Sequence, residues 1–146
     1  MLSIATFNLC NLGADASPAR LAKLGVIAAR DLGGPDILAV QEIMAETPPM
    51  PDGQVPADLA YQALSAAVVD AGGPRYEFRE VPPLLHRDGG MAGANIRVGL
   101  LFDPLRVGFP DRGRAGPEDS TGIRLNGGRP SLTLNPGRIA PLHPAF

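Results

Sequence analysis

The 146-residue sequence predicts a mixed α/β fold with at least five strands and two helices. Short apolar segments rich in β-forming residues alternate with longer segments in which apolar residues recur at helical spacing. Prolines and glycines separate these segments. No repeat of fixed period is present, so the sequence excludes a solenoid. Its length predicts a single domain with a substantial core.

The first strand, helix and second strand follow one another closely. Residues 2–7 are rich in β-formers and are followed by a polar segment, which predicts a buried strand. Ser17 and Pro18 predict the start of a helix, as N-cap and first helical residue, and residues 33–35 (Gly-Gly-Pro) predict its end. Residues 36–41 predict a second buried strand, and this order favours a right-handed crossover between parallel strands. The predicted inward face of the helix consists of Leu21, Leu24 and Ala28.

Loops rich in proline or glycine separate the later elements. Residues 44–56 hold four prolines and predict a loop, whereas residues 57–71 predict a second helix. Residues 76–81 and 96–102 predict strands. Asn126-Gly127-Gly128 predicts a hairpin turn between two further strands. Those strands are residues 122–125 and 131–134, and the predicted inward face of the second helix is Leu59, Ala63, Ala66 and Ala67.

Composition excludes several functional classes. Thirteen Lys and Arg against 15 Asp and Glu give a net charge of −2, which predicts no general affinity for polyanions. A single cysteine excludes an internal disulfide and a cysteine-rich zinc site. No segment approaches the roughly 20 apolar residues that span a bilayer. The N-terminus lacks the basic segment of a signal peptide, so we expect a cytoplasmic protein.

Two polar residues, Asn8 and Glu42, follow the first two predicted strands. If these strands are parallel neighbours, both side chains emerge at one edge of the sheet, where α/β proteins place their sites. A carboxylate and an amide suit Mg²⁺, which takes oxygen ligands and needs only one or two protein carboxylates. From position alone, a capping Asn and a salt-bridged Glu are the simpler interpretation of the pair.

Four segments of the sequence follow one another in a characteristic order. The first two are residues 4–9 (IATFNL) and 36–42 (DILAVQE). The third is DGG at 88–90 with NIRVGLLFDP at 95–104, and the fourth is RIAP at 138–141 with HPAF at 143–146. In these segments the sequence resembles the endonuclease/exonuclease/phosphatase superfamily, which includes the DNase I-like nucleases.

The resemblance implies a DNase I-like four-layer α/β sandwich and a metal-dependent phosphoester hydrolase, in which water attacks phosphorus. Glu42 would bind Mg²⁺, with Mn²⁺ or Ca²⁺ as alternatives, and Asn8 would lie beside it as a further ligand or phosphate contact. Arg97 and Asn95 would face the substrate phosphate, although a salt-bridged strand residue and a turn residue are simpler interpretations. The substrate class stays open among DNA, RNA, phosphoinositides and sphingomyelin.

The resemblance covers about half of such a domain. The family pattern continues with a histidine-bearing strand, a Gly-Asp-x-Asn motif and a terminal Ser-Asp-His, none of which occurs here. We therefore expect residues 1–146 to form one partial domain, incomplete at its C-terminus, with negligible activity alone. Loss of the acid–base groups by itself lowers rates about 10²–10⁴-fold.

Other interpretations remain. One is a non-catalytic, truncated interaction module of the same fold, and another is a plain α/β domain whose resemblance is accidental. The latter would gain if Asn8 and Glu42 lay on opposite faces. His86 and His143 are interpreted as ordinary loop residues, and Cys10 as a small buried residue without a catalytic partner.

Overall fold

The computed structural model describes residues 1–46, 48–86, 95–109, 123–132 and 140–141. Its centre is a four-stranded mixed sheet of order β1-β2-β4-β3. The strands are β1 (Ile4–Leu12), β2 (Ile37–Ile43), β3 (Glu77–Arg79) and β4 (Arg97–Phe102). β1 and β2 are parallel, and the other two pairs are antiparallel. The predicted mixed α/β class and the parallel first pair are confirmed.

Two helices cover one face of this sheet. α1 (Pro18–Val26) continues into a π-helical turn, Ile27–Asp31, and α2 spans Asp58–Asp70. The Ser17 hydroxyl accepts the Arg20 N–H at the start of α1, which confirms the predicted cap. α1 crosses α2 closely, because a Cβ on Gly25 would lie 2.2 Å from the carbonyl oxygen of Ala67.

Short strands make up the rest of the described chain. β5 (Val107–Gly108) pairs with β8 (Ala140–Pro141), and β6 (Ile123–Asn126) pairs with β7 (Arg129–Leu132). The turn of the second pair is Gly127-Gly128, and both glycines have positive φ, as the two-residue hairpin turns that match strand twist require. The predicted hairpin is confirmed here, while residues 122, 133 and 134 of the prediction lie outside the described residues.

The inward face of α2 differs from its prediction. Leu59 is 56% exposed and Ala66 is exposed, although Ala67 is buried as predicted. The observed inward face is shifted by about one residue along the chain, to larger apolar side chains that bury more surface. The buried residues of α2 are Ala60, Tyr61, Leu64, Ser65, Ala67 and Val68.

Only one face of the central sheet carries helices among the described residues. On that inner face the side chains of Ala5, Phe7 and Leu9 alternate with outward ones on β1, and they pack into the main core. The outward residues include Ile4 and Val98, which are 67% and 69% exposed. Asn8 shares this outer face, because it pairs with Gln41, which in turn pairs with Val98.

A buried carboxylate fixes the register of β1 and β2. Asp36 Oδ2 accepts the Ser3 N–H at 2.7 Å and the Ser3 hydroxyl at 2.9 Å, and the Asp36 N–H donates back to that hydroxyl. Arg106 donates to the other carboxylate oxygen at 3.0 Å. Burial raises the pKa of Asp36, but the Ser3 hydrogen bonds and the Arg106 charge more than offset it, so the pKa lies below its ordinary value. This register brings Asn8 level with Gln41 at the opposite end of the strands.

Neither described helix is long and apolar enough to cross a membrane. Because Cys10 is the single cysteine of the chain, no disulfide forms within it.

Candidate functional site

Asn8 and Glu42 come together where the regular pairing of the parallel strands β1 and β2 ends. The Asn8 side-chain amide nitrogen donates a hydrogen bond to Glu42 Oε1 at 2.9 Å, and this contact is exposed to solvent. The Asn8 amide oxygen accepts the Cys10 N–H at 2.8 Å. The two side chains therefore share one polar cluster at the sheet edge, and the condition that would have favoured an accidental resemblance is not met.

Both strands are irregular at this point. The register moves from Asn8 opposite Gln41 to Leu12 opposite Ile43, so β1 carries more residues than β2 between these pairs. β2 also bulges against β4, where consecutive residues of β4 face Gln41 and Ile43. Thus β1 and β2 do not end at residues 7 and 41 but continue through paired bulges.

The bulge in β2 determines where the Glu42 side chain points. In a regular strand Glu42 would face opposite to Gln41, toward the helices and the core. Glu42 instead has φ of +60°, a left-handed conformation that non-glycine residues adopt rarely. The extra residue leaves Ile43 fully buried and turns Glu42 toward Asn8. Such backbone strain costs about 1–3 kcal/mol and is concentrated at functional sites.

The donor set suits a hard divalent cation held by few protein ligands. Within the described residues, Asn8 is the only side chain that donates to the Glu42 carboxylate, so Oε2 has no protein donor there. The same residues contain no group of three or more His, Cys, Asp and Glu side chains that could hold a metal ion. Mg²⁺ fits such a place, since it keeps several waters and completes its shell with substrate phosphate oxygens.

The hydrogen bonds of the Asn8 side chain favour a role other than that of a second metal ligand. Its amide nitrogen faces Glu42 and its oxygen already accepts the Cys10 N–H. In this arrangement Asn8 orients the Glu42 carboxylate, as the outer partners of metal ligands generally do.

Arg97 and Asn95 lie elsewhere. Arg97 is 7% exposed, and its guanidinium pairs with Glu80 at 3.3 Å and donates to the Val55 carbonyl. Asn95 is 1% exposed and bonds to the Leu84 carbonyl and the His86 N–H. These placements do not support the expectation that either residue faces a substrate phosphate, because both are buried and engaged with protein groups.

The Arg97–Glu80 pair is a structural ion pair. The side chains of both residues are 4% exposed, and Glu80 also accepts hydrogen bonds from the Tyr61 hydroxyl and the Ala57 N–H. Burial raises the pKa of Glu80, although the Arg97 charge acts in the opposite direction. Burial and the nearby Glu80 charge also raise the pKa of the Tyr61 hydroxyl.

Cys10 corrects another expectation, because its side chain is exposed rather than buried. With φ of +53° it lies in the left-handed part of the β1 bulge, where strand alternation no longer holds. His86 is exposed, as a loop residue should be, and His143 lies outside the described residues.

Sequence reasoning missed Arg20, which lies against the bulge. Its guanidinium donates to the carbonyls of Leu9 at 2.8 Å, Cys10 and Asn11 at 3.4 Å. The one available signal was an arginine in the first turn of a helix, where the helix dipole disfavours a cation.

Comparisons of this chain with protein-family models, with curated proteins and with solved structures found no match.

Proposed function

We propose that this chain is part of a metal-dependent phosphoester hydrolase of the endonuclease/exonuclease/phosphatase type, with Mg²⁺ bound at Glu42 beside Asn8. The observation that carries the proposal is the exposed 2.9 Å contact between these side chains, built on a left-handed Glu42 where the regular parallel pairing of β1 and β2 ends. A strained backbone that presents a carboxylate to solvent suits ligand binding better than stability.

In this proposal the described residues bind and orient. Glu42 holds the cation through its carboxylate, and Asn8 fixes the direction of that carboxylate. The cation, when bound, polarises a phosphoryl oxygen as a Lewis acid. The groups that activate water in the resembling family are absent from this sequence, so the proposed turnover belongs to a site with additional residues.

The DNase I-like sandwich is the finer fold that we propose. It is supported by the sheet with helices on one face and exposed apolar residues, Ile4 and Val98, on the other. In a four-layer sandwich a second sheet would cover such a face.

Metal affinity tests the proposal. We expect Mn²⁺, used as a probe for Mg²⁺, to bind the wild-type chain in an electron paramagnetic resonance titration. Glu42→Gln should abolish this binding. Asn8→Ala should weaken it about tenfold, the usual effect of removing a residue that hydrogen-bonds to a metal ligand. Asp70→Asn, which removes an exposed carboxylate at the end of α2, is the matched control and should bind normally. Equal affinities for the wild type and Glu42→Gln would contradict the proposal.

The proposed affinity for phosphoesters is tested by the thermodynamic linkage between metal binding and phosphodiester binding, which requires no turnover. If a phosphodiester joins the cation, dimethyl phosphate tightens Mn²⁺ binding, and Mn²⁺ tightens dimethyl phosphate binding by the same factor. If the phosphodiester does not change the Mn²⁺ affinity, the site binds a cation but the proposed hydrolase function is contradicted.

A second candidate is a non-catalytic interaction module of the same fold. The exposure of the apolar side chains Ile4 and Val98 on one sheet face favours it, because a partner that covered this face would bury them. Substitution of both residues by threonine would abolish partner binding in this case and leave Mn²⁺ affinity unchanged. Metal binding at Glu42 coupled to phosphodiester binding favours the hydrolase instead.

A further inference from the structure

Three consecutive carbonyl groups of the β1 bulge converge on one guanidinium. The carbonyls of Leu9, Cys10 and Asn11 all accept hydrogen bonds from Arg20, which lies in the first turn of α1. Cys10 and Asn11 have φ of +53° and +60°, so this segment is a left-handed turn within the strand. Successive left-handed residues direct their carbonyls away from the ladder, and these oxygens then need other donors.

The location of Arg20 is unfavourable by itself. It stands in the first turn of α1, where the exposed N–H groups create a positive potential and where no acidic residue offsets it. The three carbonyl oxygens supply the compensating negative potential. Arg20 and the bulge therefore stabilise each other, and together they connect the helix start to the end of the strand.

The turn determines the orientation of Asn8. Its left-handed residue Cys10 presents a backbone N–H to the Asn8 amide oxygen at 2.8 Å. With the oxygen held in this way, the amide nitrogen points to Glu42 Oε1 at 2.9 Å. A continuous series of hydrogen bonds thus runs from Arg20 through the turn and Asn8 to Glu42.

We propose that Arg20 is a positioning residue of the Asn8–Glu42 site, which fixes the left-handed turn and through it the direction of the Asn8 amide. The inference deepens the proposed function and rests on it only for the effect on metal binding. The effect on the turn itself does not require a metal.

Two substitutions and one control test the inference. Arg20→Gln removes the charge and most donors, Arg20→Lys keeps the charge without the planar set of N–H groups, and Arg30→Gln is the control. Arg30 also donates to a carbonyl, that of Ala71 at 3.3 Å, but away from the bulge. Global folding of each variant is checked by its urea midpoint, and Arg20→Lys serves where Arg20→Gln does not fold.

The first readout is hydrogen exchange of the Cys10 amide without metal, measured by NMR. We expect exchange to accelerate roughly threefold to tenfold in Arg20→Gln, the range of one lost hydrogen bond, with a smaller effect in Arg20→Lys and none in Arg30→Gln. Unchanged Cys10 exchange in a folded Arg20 variant would overturn the proposal.

The second readout is Mn²⁺ affinity, which we expect to fall about tenfold in Arg20→Gln and to recover partly in Arg20→Lys. Wild-type affinity in a folded Arg20→Gln chain would also overturn the positioning role. Failure of the wild type to bind Mn²⁺ would instead contradict the proposed function, and the Cys10 exchange would still decide whether Arg20 holds the turn.

Discussion

Replacement of Glu80 by alanine would leave the Arg97 guanidinium buried without its counter-ion. Both side chains are 4% exposed and lie 3.3 Å apart. The same carboxylate accepts the Tyr61 hydroxyl and the Ala57 N–H, each at 3.2 Å, so these donors lose their partner too. Glu80→Ala therefore leaves one buried charge without its counter-ion and two neutral donors without their acceptor.

The expected loss of unfolding free energy is about 3–5 kcal/mol, the usual effect of removing one member of a buried pair. Each neutral donor left unsatisfied adds on the order of 1 kcal/mol, and water that enters the gap offsets part of this. A loss of that size is a large fraction of the roughly 5–15 kcal/mol that stabilises a typical domain.

Urea denaturation of four proteins measures this effect. They are the wild type, Glu80→Ala, Arg97→Met and the double variant, with Glu77→Ala as a matched control. Glu77 faces Arg79 at 4.0 Å with its side chain 55% exposed, so its removal should cost less than about 1 kcal/mol. The double variant should be more stable than the sum of the single losses predicts. A small effect of Glu80→Ala, equal to that of Glu77→Ala, would refute the structural role of the pair.

Two further predictions concern the ends of β1 and β2. The pKa of Asp36 is lowered in the folded state, so its contribution to stability is present above its unfolded pKa of about 3.9 and is lost as the pH falls through the folded pKa. In Asp36→Asn, the free energy of unfolding, measured by urea denaturation from about pH 3 to 7, should fall less steeply at acid pH than in the wild type. An unchanged decrease would contradict the contribution of Asp36 to the acid sensitivity. Glu42→Gly should be more stable than Glu42→Ala by about 1 kcal/mol, because only glycine adopts the left-handed conformation without strain. Equal melting temperatures of these two variants would show that the bulge carries no strain.

The approach of Asn8 and Glu42 followed from sequence reasoning, because parallel neighbouring strands bring their carboxyl ends together. The bulges did not follow. Regular alternation places Glu42 on the helix face, and only its φ of +60° turns it outward. Asn11, a residue tolerant of left-handed backbone, was the one local indication of the irregular turn.

Arg97 shows why other parts of the site prediction differed from the structure. Its sequence neighbours indicate a strand, but its partner Glu80 is 17 residues away, directly after β3, and only the pairing of β3 with β4 brings the two residues together. The inward face of α2 also differs from its prediction, because alanines at helical spacing indicated a face made mainly of small residues. Tyr61 and Leu64 face the core instead, because they bury more apolar surface.

The proposed function depends most on a cation bound at the contact between Asn8 and Glu42. The most direct measurement is the paramagnetic broadening of NMR signals as Mn²⁺ is added to the wild-type chain and to Glu42→Gln. We expect the Asn8 side-chain amide and the Glu42 backbone amide of the wild type to broaden first, at Mn²⁺ levels that leave the Asp70 amide sharp. In Glu42→Gln the Asn8 signals should stay sharp. Broadening of Asn8 that persists in Glu42→Gln, or that appears no earlier than at Asp70, would contradict a metal site at this sheet edge.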